Sequence, residues 1–263
     1  MTAATVAPPS PSPAIRSITR EDLRAALDLG WRDFKRAPGF GLVFSAVYVL
    51  GGILLYLLLW RTGLLVWALP VMVSFPLIAP FAAVGFYEVS RRLEAGEPLE
   101  RGAVFGVVFA ERGRQMPSMA VVVLFIGLIW VFLGHMIFAL FMGLQVMTNV
   151  TTSLDVFLTP NGLAMLAVGT AVGAVIAFIL FSITVVSLPL LLEREMDFVT
   201  AMITSWSAVQ QNLGVMLVWA AIIVIWLGMG MLPMFLGLFV VLPVLGHSTW
   251  HLYRRVLEPP SGN

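Results

Sequence analysis

Two histidines, His247 and His251, stand four residues apart and share one face of any helix that holds them. Imidazoles at that spacing can ligate a metal ion or a haem iron. Glu88 takes the position of His251 when the chain is aligned with itself, and supplies a third ligand if the two regions meet. The same residues also suit a second chemistry. With Ser248, Thr249, Trp250 and Tyr253 they can form a hydrogen-bonding cluster at a membrane edge. His135 stands alone and is expected to make an interhelical hydrogen bond. Two arginine pairs, Arg91/Arg92 and Arg254/Arg255, carry the charge to clamp an anionic lipid headgroup. No nucleophile–base constellation is visible, and no catalytic or cofactor-binding residue is assigned. Gly102-x-x-x-Gly106 lacks the Gly-Lys-Ser/Thr of a phosphate loop. The chain has no cysteine, which removes disulfides, thiolate metal sites and iron–sulfur clusters.

The elements that position these residues follow from where charge is missing. Ala37–Trp60, Thr62–Tyr87, Gln115–Leu154, Val156–Leu192 and Phe198–Tyr253 contain no Asp, Glu, Lys or Arg. About 20 apolar residues of helix cross a hydrocarbon core about 30 Å thick, so each run holds at least one span. With 60% hydrophobic and 11% charged residues, the composition is that of a polytopic membrane protein. The reading is all-α with six transmembrane helices, near Phe40–Trp60, Leu64–Tyr87, Pro117–Phe141, Leu163–Leu190, Leu213–Met229 and Leu232–Leu252. The final charge-free run is too long for one crossing, and its break is expected at Gly228–Pro233. With six spans, fourteen of the fifteen Lys and Arg residues fall on one face and Arg61 alone on the other. The positive-inside rule then puts both termini in the cytoplasm of an inner-membrane protein. Net charge is +1, so no global field argues for nucleic acid.

Trp60, Trp67 and Trp250 are placed for the headgroup level, whereas Trp130, Trp219 and Trp226 are expected to pack within the bundle. Gly169, Gly173 and Ala177 form a ladder of small residues that admits a neighbouring helix. Pro70, Pro76 and Pro80 are expected to kink the second span. No span carries a midplane charge, so any pathway must be lined by backbone and by hydroxyls such as Ser45, Ser74, Thr170, Ser182, Thr184 and Ser187. Asn149-Val-Thr151 is a glycosylation sequon in an outer loop. Residues 1–17, rich in Pro, Ala and Ser, are expected to be a disordered tail, residues 18–258 a single membrane domain, and residues 259–263 a second tail.

Each hairpin of spans is expected to follow an amphipathic helix on the cytoplasmic surface. In the first, Thr19 is an N-cap, Asp22 completes a capping box and Ile18 with Leu23 forms a hydrophobic staple. Leu23, Leu27, Trp31 and Phe34 then make the apolar face until Pro38. In the last, Asp197 is the cap and Phe198, Met202, Trp206 and Val209 the face. Leu99–Gln115 is a weaker middle copy. Ala26, Trp31, Gly39, Leu42 and Val43 match Ala201, Trp206, Gly214, Leu217 and Val218 at a constant offset. Pro80, Tyr87, Arg91 and Arg92 likewise match Pro243, Trp250, Arg254 and Arg255. Three repeats are therefore expected, at 18–92, 99–192 and 197–255, related about an axis along the membrane normal.

Gly30-Trp31-Arg32-Asp33-Phe34 with Pro38, Ala79-Pro80-Phe81, Gly85-Phe86-Tyr87-Glu88-Val89-Ser90-Arg91-Arg92 and Gly96-Glu97-Pro98 resemble signatures of an uncharacterised bacterial integral membrane family, domain of unknown function 2189. Asp197, Ala201, Ser205 and Gly246-His247-Ser248-Thr249-Trp250-His251-Leu252-Tyr253-Arg254 resemble its later signatures, over nearly the whole chain after Thr19. Some members carry the label cytochrome c oxidase subunit I. Three histidines, two of them together, do not suffice for a haem–copper centre, so the resemblance implies a location and topology rather than a reaction. The resulting expectation is a non-enzymatic scaffold, assembly or lipid-contacting protein without a cofactor, whose partners are membrane lipids and another membrane protein. The alternatives are a transporter or channel for a small neutral or lipophilic solute, and an accessory subunit of a respiratory oxidase.

Overall fold

Thr19 opens the first helix as the sequence predicts. Its Oγ accepts from the Asp22 amide at 3.2 Å, and the Asp22 carboxylate accepts from the Thr19 amide at 2.9 Å, closing the capping box. The computed structural model describes residues 13–62, 68–143 and 155–259. In order it contains α1 (Arg20–Arg36), α2 (Pro38–Thr62), α3 (Ala68–Ala95), α4 (Arg101–Ala110) and α5 (Met116–Met142). The short α6 (Asp155–Leu158), α7 (Pro160–Thr184), α8 (Ser187–Glu193), α9 (Phe198–Gln211), α10 (Leu213–Met231) and α11 (Leu238–Val256) follow. No strand occurs among the described residues. Trp67 and the Asn149 sequon lie outside them.

Among the described residues, four stretches are long and apolar enough to cross a membrane, by length and composition: Pro38–Thr62, Met116–Met142, Pro160–Glu193 and Leu213–Met231. The second and sixth expected spans fall on α3, which carries no charge before Glu88, and on α11, whose second half is polar and buried. The turn between α10 and α11 lies later than expected. Helix continues through Gly228 and Gly230 to Met231, and the reversal follows with Met234 and Phe235 at positive φ.

α11 is the hub, packed against α1, α2, α3 and α10. From Pro243 to Tyr253 almost every side chain is buried, including His247, Trp250 and His251. Trp250 is therefore a core residue, not one at the headgroup level; its Nε1 donates to Glu94 Oε2 at 2.9 Å. Trp60 is 75% exposed beyond a stacked Tyr56, as a boundary residue should be. Trp219 is fully buried, and Trp130 lies against Gly173, where an added Cβ would come within 2.9 Å of the indole. Gly169 meets nothing, and lines a cavity of about 440 Å³ with Trp130 and Thr170 between α5 and α7.

α1 and α9 seat much of their expected apolar faces, with Leu23, Leu27, Phe198, Met202 and Val209 at the core, but turn their tryptophans outward. α1 buries Leu23, Ala26, Gly30 and Asp33, while Trp31 stays 45% exposed. α9, capped by Asp197 as predicted, buries Ala201, Thr204, Ser205, Ala208 and Val209 and leaves Trp206 40% exposed. In both, small residues face the neighbouring helix and the large ring turns outward. Close helix approach selects small side chains, and rings need no burial where lipid is the alternative surroundings.

Residues 14–16, at the end of the segment expected to be a tail, meet the end of α11. Ile15 pairs with Leu257, the Arg16 amide donates to the Val256 carbonyl at 2.7 Å, and the Glu258 amide donates to Ala14 at 3.1 Å. Asn212 secures this strap, accepting from the Ile18 amide at 2.8 Å and donating to the Arg16 carbonyl at 3.0 Å.

Candidate functional site

α11 brings both histidines to α1 and α3. His251 Nε2 donates to Asp33 Oδ2 at 2.6 Å, joining residues 218 positions apart. His247 Nδ1 lies 3.1 Å from the Phe86 carbonyl and 2.8 Å from Ser90 Oγ. A carbonyl can only accept, so Nδ1 carries the proton, and Ser90 Oγ accepts from the same nitrogen. The Ser90 hydroxyl proton then turns to Asp33, to which this side chain also hydrogen-bonds. One chain of hydrogen bonds thus runs from α3 through His247 and Ser90 to Asp33 and back to α11 at His251. Burial pushes the Asp33 carboxyl up, and the hydrogen bonds from His251 and Ser90 outweigh it, leaving it below the usual carboxylate value. Gly30 sets the spacing. A Cβ there would lie 2.1 Å from Ser248 Oγ, 2.6 Å from the Ser248 nitrogen and 2.8 Å from the Val244 oxygen.

A ring of ion pairs borders this clasp. Glu88, with its side chain 1% exposed, accepts from Arg91 Nε at 2.8 Å and from Arg92 Nε at 2.6 Å. Arg91 also holds Glu97 at 3.0 Å. Arg254 bridges Glu193 at 2.7 Å and Glu94 at 3.2 Å, and the Tyr253 hydroxyl donates to Glu193. Arg255 pairs with Asp22 at 2.8 Å. All four arginines expected to meet lipid headgroups are therefore held by carboxylates of the chain.

This arrangement limits the chemistry. His247 does not accept a proton from Ser90, and both are fully buried, so the pair is not an activated nucleophile. The ligand set His247, His251 and Glu88 is divided among Ser90, Asp33 and the arginines. Among the described residues, no three His, Cys, Asp or Glu side chains gather to hold a metal ion. His247 Nε2 and Ser248 Oγ are buried without partners. His135 bonds within its own helix, to the Val131 carbonyl at 2.7 Å, rather than across helices. Ser182, Thr184 and Ser187 likewise donate to carbonyls of their own turns, at 2.7, 2.7 and 2.6 Å. They are satisfied locally and present no free hydroxyl to a solute.

Sequence reasoning named Gly30, Asp33 and Ser90 only within the family signatures, without these roles, and missed Glu94 and Glu193. One signal was available: Ala26, Gly30 and Asp33 recur at helical spacing, and two small residues on one face mark close approach.

Residues 68–193, from the start of α3 to the end of α8, match the family described as "Predicted integral membrane protein (DUF2189)". Over this stretch the chain is similar to that family. The DUF2189 match contains the Pro80–Arg92 signature with Glu88 and Ser90. It does not extend to Gly30–Phe34 or to Gly246–Arg254, so the α1 and α11 sides of the clasp lie outside it. Comparisons with curated proteins and with solved structures gave no match.

Proposed function

We propose that this integral membrane protein is a non-enzymatic scaffold of the inner membrane, six helices crossing as three hairpins with both chain ends in the cytoplasm. The observation that carries the reading is the contrast between its two kinds of surface. At the polar end Asp33, His251, Glu88, Arg91, Arg92, Glu193 and Arg254 are all engaged with one another. Along the helices, only 6% of the most apolar window of α5 is buried within the chain, 17% in α10 and 18% in α2. A locked polar end and wide apolar flanks suit lateral association with lipid and with helices of another membrane protein.

The one-sided arginines support cytoplasmic ends, and the pairing of Ile15 with Leu257 supports an even number of crossings. The shared seating of α1 and α9, each with its tryptophan outward, supports the internal repetition.

Two measurements test the proposal. Extraction from native membranes in mild detergent should recover a partner in stoichiometric amount; a lone monomer would refute the scaffold. Because the chain lacks cysteine, Ser17→Cys and Glu258→Cys provide single labelling sites. An impermeant maleimide should reach both from the cytoplasmic side only, and labelling from opposite sides would refute the topology.

A further inference from the structure

Most arginines at the polar end are neutralised by carboxylates of the chain, and two that are not line the same groove. Arg36 ends α1 and Arg101 opens α4; both are exposed, and neither has a carboxylate partner among the described residues. The groove between them has a volume of about 600 Å³ and a floor formed by Pro38, Phe40, Val43 and Phe105. Phe105 packs on Phe40 at 6.2 Å and on Phe44 at 5.3 Å, so the floor is a fixed apolar surface rather than a set of loose side chains.

Position and charge select the occupant. Arg36 stands one residue short of Pro38–Thr62, a helix apolar enough to span, so the groove begins where that helix would enter the hydrocarbon. Arg101 stands in the first turn of α4, where the helix dipole disfavours a cation, so helix stability does not account for it. Two unneutralised guanidiniums above an apolar trough complement a molecule with a phosphate at one end and an acyl chain at the other. A zwitterionic headgroup would bring its own cation up to the arginines.

We infer that Arg36 and Arg101 bind the phosphate of an anionic phospholipid, whose acyl chain lies in the groove over Phe40, Val43 and Phe105. This rests on the reading above only in placing the polar end at the membrane surface.

The test is native mass spectrometry of the full chain in mixed micelles containing palmitoyl-oleoyl phosphatidylglycerol or the matching phosphatidylcholine. The unaltered chain should retain the phosphatidylglycerol in preference. Each arginine near an anionic surface contributes about fivefold, so Arg36→Gln with Arg101→Gln should lower retention roughly 20-fold. Arg20→Gln with Arg24→Gln removes the same charge from exposed positions of α1 away from the groove, and should leave retention unchanged. Val43→Trp fills the trough and should lower retention with both arginines intact. Equal retention of the two lipids, or equal loss in both double variants, would overturn the site. The maleimide labelling is independent of these outcomes, so failure of the lipid site and failure of the topology are distinguishable. All the substituted side chains are exposed, and unchanged melting temperatures would show that each variant is folded.

Discussion

Gly30→Ala tests the clasp with the smallest possible change. A methyl at that position meets two backbone atoms of α11, at 2.6 and 2.8 Å, where ordinary contact needs about 3.4 Å or more. The Ser248 hydroxyl can rotate away, but the Ser248 nitrogen and Val244 carbonyl belong to a buried helix. α1 must therefore move outward by several tenths of an ångström, along the direction that lengthens the 2.6 Å bond from His251 to Asp33. Overpacking of this kind costs about 1–3 kcal/mol. Alanine returns up to about 1 kcal/mol through its helix propensity. Weakening a buried charged hydrogen bond adds about 1.5–3 kcal/mol. The expected net loss is about 1.5–5 kcal/mol, read as a lower melting temperature in detergent and faster proteolysis within α1. Gly106→Ala in α4 is the control, because a methyl there meets nothing within 4 Å and should be neutral or slightly stabilising. If Gly30→Ala melts with Gly106→Ala, α1 is not seated on α11 as described.

The clasp should also weaken in acid. The native Asp33 carboxyl titrates below its unfolded value, so its contribution is fully present above about pH 3.9 and is lost as pH falls through the native value. Asp33→Asn should lower the melting temperature at neutral pH and flatten its acid limb; an unchanged acid limb would assign that limb to other carboxylates. Glu88→Gln leaves Arg91 and Arg92 with Glu97 as their remaining carboxylate, and should cost about 1.5–3 kcal/mol in denaturation midpoint measurements. Gly173→Leu drives a branched side chain into the Trp130 ring and should separate α5 from α7, measurable as loss of a cross-link engineered between them. Gly169→Ala, with open space around it, should not.

The local signals were legible from residues near in sequence. Thr19 with Asp22, and Asp197 with Thr200, are contacts three residues apart, and both caps form as read. Long charge-free runs likewise mark the helices that are apolar enough to span. The apolar faces of α1 and α9 were read from periodicity, which groups Trp31 and Trp206 with their neighbours but does not say which of them meets another helix. Beside a membrane the large rings can remain outside, and the helices meet through Ala26, Gly30, Ala201 and Ser205. The roles of His247 and His251 were not legible because their partners come from helices over 150 positions away, and no periodicity encodes which polar group a buried histidine will meet. The same holds for the arginines. Their positions at the end of the bundle follow from charge distribution, but only the fold shows that Arg254 faces Glu94 and Glu193 while Arg36 and Arg101 face neither.

The distance along the chain between Asp33 and His251 also sets an order of assembly. α1 leaves the ribosome before its seat, α11, and at ordinary synthesis rates about tens of seconds separate the two. During that interval the aspartate and the glycine face have no structure to join, however well the intervening helices have inserted. A nascent chain stopped before Leu238 would therefore keep this segment open to proteases and chaperones, and closure of α1 would report that α11 has been made.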